Sequence, residues 1–168
     1  MPFGKGRHWL SKLPGPLEYV LGGWQANGIF QFRSGAALGV GSNISNDRGS
    51  RAGNRADRLC DGNLSGGKRT KAQWFDKSCF RDPVPGTFGS AGEGIVLGPG
   101  AVNPDLGLFK NLRFRERINL QFRWEMFNAF NVVNLNNPTT NVSDITNFGR
   151  ISGAGAAREM QFGLKLLF

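Results

Sequence analysis

The chain has 168 residues and 21 Lys and Arg against 12 Asp and Glu, a formal net charge of +9. That balance raises nucleic acid as a partner, but the charge is not concentrated. Residues 1–33 carry 4 cations and 1 acid, residues 34–101 carry 9 and 6, and residues 102–168 carry 8 and 5. Each segment nets +3, so no stripe focuses a field, and no nucleic-acid partner is expected. No apolar run is long enough for a transmembrane helix, which leaves strands as the only means of crossing a bilayer.

Residues 1–23 contain Pro2, Pro14 and Pro16 and read as the tail of a strand followed by a turn. The start, MPFGKGRHW, has no apolar secretory core, so an exported chain beginning this way is expected to be a piece of a longer polypeptide. From 24 to 34, Trp24, Ala26, Gly28, Phe30 and Phe32 alternate with Gln25, Asn27, Gln31 and Arg33, with Ile29 out of phase. Alternation with a period of two predicts a strand with two unlike faces. Trp24, near the strand end, suits a membrane interface, where one side of the ring is dry and the other wet.

Residues 41–101 are rich in Gly, Asn, Ser, Asp and Arg and read as one long loop. Arg48, Arg51, Arg55 and Arg58 fall here; they suit an anionic ligand or, more simply, a solvated loop. Cys60 and Cys79 lie in the same segment, with no CxxC pattern and only a distant His8. In an exported protein they are expected to pair, and in a reducing compartment to remain two thiols. PGTFGSAGEG is Gly-rich but lacks the Lys-Ser/Thr of a phosphate loop.

Residues 104–114 alternate more roughly. Leu106, Leu108, Leu112 and Phe114 oppose Asp105, Gly107, Asn111 and Arg113, while Phe109 and Lys110 break the phase and suggest a bulge. Arg115, Glu116 and Arg117 form a tight turn into a cleaner strand over 118–128. There Ile118, Leu120, Phe122, Trp124 and Met126 share one face, and Asn119, Gln121, Arg123 and Glu125 the other. A second long loop, Asn-rich, runs over about 129–157. The final strand, 158–168, carries Met160, Phe162, Leu164, Leu166 and Phe168 in one phase and Glu159, Gln161, Gly163 and Lys165 in the other.

These segments have the length of tilted barrel strands, and the connections alternate long, short, long. The expected fold is all-β: an antiparallel transmembrane β-barrel segment of about four to five strands with long external loops. The apolar set Ile118, Leu120, Phe122, Trp124 and Met126 is then expected to face lipid. Gln121, Arg123, Glu125 and Lys165 are expected to face the lumen, where cross-strand pairing is the simplest role for the charges. So few strands cannot close a barrel, and an open edge is not tolerated in lipid, so the sheet needs the remainder of a barrel or copies of itself. No His partner, metal-spaced ligand set or nucleophile elbow is present: no catalytic, cofactor-binding or metal residue is nominated, and an enzyme is not expected.

The ordered motifs PFGKGR, LGGWQANGIFQFRSG, PGTFGSAGEG, GPGAVNPDLGLFKNLRF, LQFRWEMFNAFN and FGRISGAGAAREMQFGLKLLF resemble the C-terminal end of the TonB-dependent outer-membrane receptors, in particular the Oar-like group. The resemblance spans nearly the whole chain. It implies the last strands of a barrel of about 22 strands whose plug domain is absent from this chain. It implies import of a large nutrient, a metal chelate or an oligosaccharide, driven by the TonB complex through an N-terminal part missing here. The family's terminal aromatic signature maps onto Phe168, with Phe162, Leu164 and Leu166 in phase; the barrel-assembly machinery reads that pattern as an insertion signal. An outer-membrane structural or adhesive barrel without active transport is the other assignment compatible with the residues.

Overall fold

The computed structural model describes residues 20–44, 54–114 and 118–168. Eight strands occur among them: β1 Trp24–Arg33, β2 Ala37–Leu38, β3 Asp57–Arg58, β4 Phe80–Arg81, β5 Val96–Leu97, β6 Ala101–Phe114, β7 Ile118–Phe127 and β8 Glu159–Leu167. The four long ones match the segments in which apolar and polar residues alternate. No helix among the described residues is long and apolar enough to cross a membrane, which says nothing of strands.

The chain divides into two compact units. The first is a four-stranded sheet in the order β1-β6-β7-β8. β7 runs antiparallel to both neighbours: Phe122 pairs with Lys110 on one side and Leu164 on the other, Trp124 with Leu108 and Phe162. The β6–β7 register is continuous from Leu106↔Met126 to Phe114↔Ile118, so the suspected bulge at Phe109–Lys110 does not exist. Both residues stay in phase; they place an aromatic on the polar face and a lysine on the apolar one.

Contacts between β1 and β6 descend on one strand as they climb on the other, so this pair is antiparallel too. The Asn111 N–H donates to Gly23 O at 2.9 Å, and Lys110 Nζ lies 5.2 Å from the Trp24 ring centroid. Further along, a side chain built at Gly107 would meet Asn27, and one at Gly28 would meet Leu106. Gly23 needs to be glycine: its φ is +71°, and a Cβ would stand 2.5 Å from Asn111 O.

The Asn-rich stretch after β7 is ordered by two asparagines in the left-handed region, Asn128 (φ 48°) and Asn131 (φ 53°), a conformation asparagine tolerates better than most residues. Asn128 bridges the turn with its side chain. Its Nδ2 donates to Val132 O at 2.9 Å and Ala156 O at 3.2 Å, and its Oδ1 accepts from Val132 N at 2.8 Å. Its own N–H donates to Asp105 Oδ1 at 2.9 Å, which fastens the end of β7 to β6.

The second unit combines residues 32–101 and 133–155. Most of the two long loops expected over 41–101 and 129–157 lies in it, and the short strands β3, β4 and β5 occur within the first. The described residues of the two segments share a core of Val40, Ala56, Phe75, Cys79, Phe80, Ala91, Val96 and Phe148. At its centre Phe75, Phe80 and Phe148 meet edge to face, with centroids 5.1–6.2 Å apart. Short ladders, β2 with β5 and β3 with β4, carry the backbone around it. The single bridge Gly41↔Asn141 helps to join the segments, and Thr139↔Phe148 closes the second on itself. Apolar side chains scattered without a period can still meet in one core when two distant segments fold together, and that is what burial rewards here.

Candidate functional site

The candidate site is the sheet itself, because its two faces have different chemistry. On one face the in-register rows are Leu112–Leu120–Leu166, Lys110–Phe122–Leu164, Leu108–Trp124–Phe162 and Leu106–Met126–Met160. Phe162 stacks on both Phe122 and Trp124, at centroid distances of 6.1 and 5.8 Å. Although apolar, this face is open: Phe162 is 67 % exposed and Leu164 72 %. Ile118, Leu120, Phe122, Trp124 and Met126 all lie on it, as do Phe162, Leu164 and Leu166, while Phe168 follows the last strand, almost fully exposed. A contiguous apolar surface of this kind marks a membrane or partner face.

The opposite face carries a polar network. Arg123 Nη2 donates to Glu125 Oε1 at 2.7 Å, and Gln161 Nε2 donates to Glu125 Oε2 at 2.7 Å from directly across the ladder. Gln121 Nε2 donates to Asn111 Oδ1 at 2.9 Å, again between paired residues. The Arg123 guanidinium lies 5.2 Å from the centroid of Phe109, its β6 partner. Gln121, Arg123, Glu125 and Lys165 therefore share one face, and three of them enter the network. Lys165 stands opposite Gln121 in register.

Lys110 is the residue whose placement runs against its charge. It sits among leucines and aromatics on the apolar face, 6 % exposed, and donates to Val20 O at 3.0 Å and to Gly22 O. Trp24 Nε1 donates to the same Val20 carbonyl at 2.9 Å. The alternation marked Lys110 as an exception but contains no signal for its partners, which are backbone atoms of a segment 88–90 residues earlier. Also on this face, Trp124 Nε1 is buried without a hydrogen-bond partner among the described residues.

In the second unit Cys60 and Cys79 are disulfide-bonded, with Cα atoms 4.8 Å apart. Cys79 contributes to the core beside Phe75 and Phe80. Of the four arginines singled out in this stretch, Arg55 pairs with Glu93 at 3.7 Å and Arg58 with Asp61 at 3.4 Å; Arg48 and Arg51 lie outside the described residues, as do the turn 115–117 and His8. Asp61 is held below the ordinary carboxylate value of 3.8 by the Asn63 backbone N–H, then the Asn63 side chain, with a smaller Arg58 contribution.

An antiparallel sheet with an open apolar face, a networked polar face and strands of bilayer-crossing length is the wall of a transmembrane barrel. The chain belongs to the outer membrane beta barrel domain family, whose model matches residues 1–161, and its place is the outer membrane. The matched span ends just before the Phe162–Phe168 stretch. No curated protein and no solved structure matches the chain.

Proposed function

We propose that the chain forms the last strands and the external loops of a TonB-dependent receptor of the Oar-like group, importing a large nutrient across the outer membrane. The observation that supports this most is the opposition of the faces: Leu120, Phe122, Trp124 and Met126 share the apolar face, which this reading turns to lipid tails, while Gln121, Arg123, Glu125 and Lys165 share the polar face, which it turns to the water-filled side. The ordered motifs that resemble those receptors supply the rest. In this arrangement the remainder of the barrel seals the outer edges of β1 and β8, the barrel-assembly machinery engages Phe162, Leu164, Leu166 and Phe168, and the TonB complex acts through a part of the receptor outside these strands. Both long connections leave from the end of the sheet opposite the Phe114↔Ile118 pair, as external loops would.

The competing assignment is an outer-membrane structural or adhesive barrel. A compact, disulfide-stapled second unit with its own aromatic core suits adhesion as well as ligand capture. Purification of the native gene product from outer membranes, followed by capture on the immobilised periplasmic domain of TonB, separates the two. Retention of a folded, heat-modifiable barrel supports import. A folded barrel that flows through supports the structural assignment.

A further inference from the structure

We propose that Lys110 is a positioning residue that sets the register of β1 against β6. Four contacts place the two strands in one alignment: Gly23 with Asn111, Trp24 with Lys110, Asn27 with Gly107, and Gly28 with Leu106. The apolar pattern of β1 does little to hold that alignment. Ala26 and Gly28 offer almost no side chain to pack, Ile29 is on the polar face, and strands of this kind are prone to slip. A slip by two residues would preserve the face of every β1 side chain, so burial alone does not forbid it.

Lys110 does forbid it. Its row is the third of the five apolar rows between Leu106–Met126 and Phe114–Ile118, in the middle of the apolar band. In the native alignment its ammonium is held by the carbonyls of Val20 and Gly22, just before β1, and by the ring of Trp24. Shifting β1 by two residues carries those carbonyls about 7 Å along the strand and strands the charge on an apolar surface. A single buried polar group that specifies alignment is a known use of an otherwise costly residue. The cost of a stranded charge depends on the lipid-facing assignment; the alignment itself does not.

The test reads the register directly with paired cysteines in the full chain, inserted into membranes. Asn27→Cys with Gly107→Cys reports the native alignment, and Asn27→Cys with Asp105→Cys reports β1 shifted by two; the Cys60–Cys79 bridge is already closed. With Lys110 intact, or with Lys110→Arg, only the native pair should crosslink. With Lys110→Met the ratio of native to shifted crosslink should fall roughly tenfold or more, the weight of losing hydrogen bonds to a charged group. Because Lys110→Met could fail to insert, a relocated lysine provides the decisive variant: Lys110→Leu with Leu108→Lys should drag β1 by two and make the Asn27–Asp105 crosslink dominant. Retention of the native crosslink alone in either inserted variant overturns the proposal, as does a relocated variant that inserts without forming the shifted crosslink. Insertion, read by heat-modifiable migration, separately reports on the barrel assignment.

Discussion

Trp124 and Phe162 stand directly opposite one another on β7 and β8 and stack with ring centroids 5.8 Å apart and planes 16° from parallel. One position along each strand, Glu125 accepts a hydrogen bond from Gln161 on the other face. A single residue step thus separates an apolar stack from a charged network, and the assignment of faces can be tested at adjacent positions.

Leu164 and Lys165 are the cleanest such pair. Leu164 shares the row of Lys110 and Phe122, in the middle of the apolar band, and is 72 % exposed on it. Leu164→Arg should cost about 2–4 kcal/mol of stability in a bilayer, whereas Lys165→Gln on the polar face should be nearly silent. Unfolding titrations in lipid vesicles measure both. Equal losses at the two positions would contradict the assigned faces.

Trp124 presents a finer case. Its ring stacks on Phe162, but its Nε1–H is buried without a partner among the described residues. Trp124→Phe keeps an aromatic surface and removes the orphan donor, so it should leave stability unchanged or raise it by about 1 kcal/mol. Trp124→Ala removes the stack and should cost about 1 kcal/mol or more. The same vesicle titration distinguishes them: a large loss in the phenylalanine variant would mean that the indole N–H has a partner in the membrane.

The strands were legible in the sequence because period two, charge and aromatic placement agree over 118–127 and 159–167. Leu106 to Phe114 was harder: Phe109 and Lys110 have the polarity of the wrong face, and their partners are Arg123 over Phe109 and, for Lys110, the carbonyls of Val20 and Gly22 with the Trp24 ring. The core of the second unit was not legible at all. Phe75, Phe80 and Phe148 have no common period, and the last comes from a segment separated from the others by the whole of β6 and β7. The cysteines were readable as a pair, since export favours the bridge, but not as part of a core.

That bridge should matter locally. The Cys60–Cys79 link closes a loop with a sequence separation of 19, and Cys79 is 2 % exposed beside Phe75 and Phe80. Replacing both cysteines with alanine should destabilise the second unit by about 3 kcal/mol. Protease susceptibility between residues 54 and 101 should increase while heat-modifiable migration of the barrel persists. Unchanged protease resistance would show that the aromatic core holds this unit without its staple.

Acid should loosen the same unit through Asp76. The Ser78 hydroxyl donates to its Oδ1 at 2.7 Å and the Ser78 N–H at 3.0 Å, and these bonds, in that order, hold the carboxyl below its usual 3.8. A carboxyl with a depressed folded value stabilises fully above the unfolded value and loses that contribution as pH falls through the folded one. The turn at Lys77–Cys79 should therefore weaken only below 3.8, and Asp76→Asn should remove this part of the acid sensitivity. Tryptophan fluorescence of Trp74, next to Phe75, follows the transition. A loss beginning near neutral pH, unaltered in Asp76→Asn, would assign it to other groups.

Phe168 supplies the prediction most specific to biogenesis. Phe168 is 97 % exposed and, among the described residues, makes no stack of the kind joining Phe162 to Phe122 and Trp124, so its deletion removes little packing from the sheet. In the full-length barrel, loss of Phe168 should therefore leave stability in vesicles within about 0.5 kcal/mol of the intact protein, as expected for an exposed position. Under the insertion-signal role proposed for Phe162, Leu164, Leu166 and Phe168, the same deletion should lower the amount in the outer membrane of cells several-fold. Normal surface levels in cells would remove the insertion-signal role. Loss of stability in vesicles would instead make Phe168 a packing residue, a role its exposure argues against.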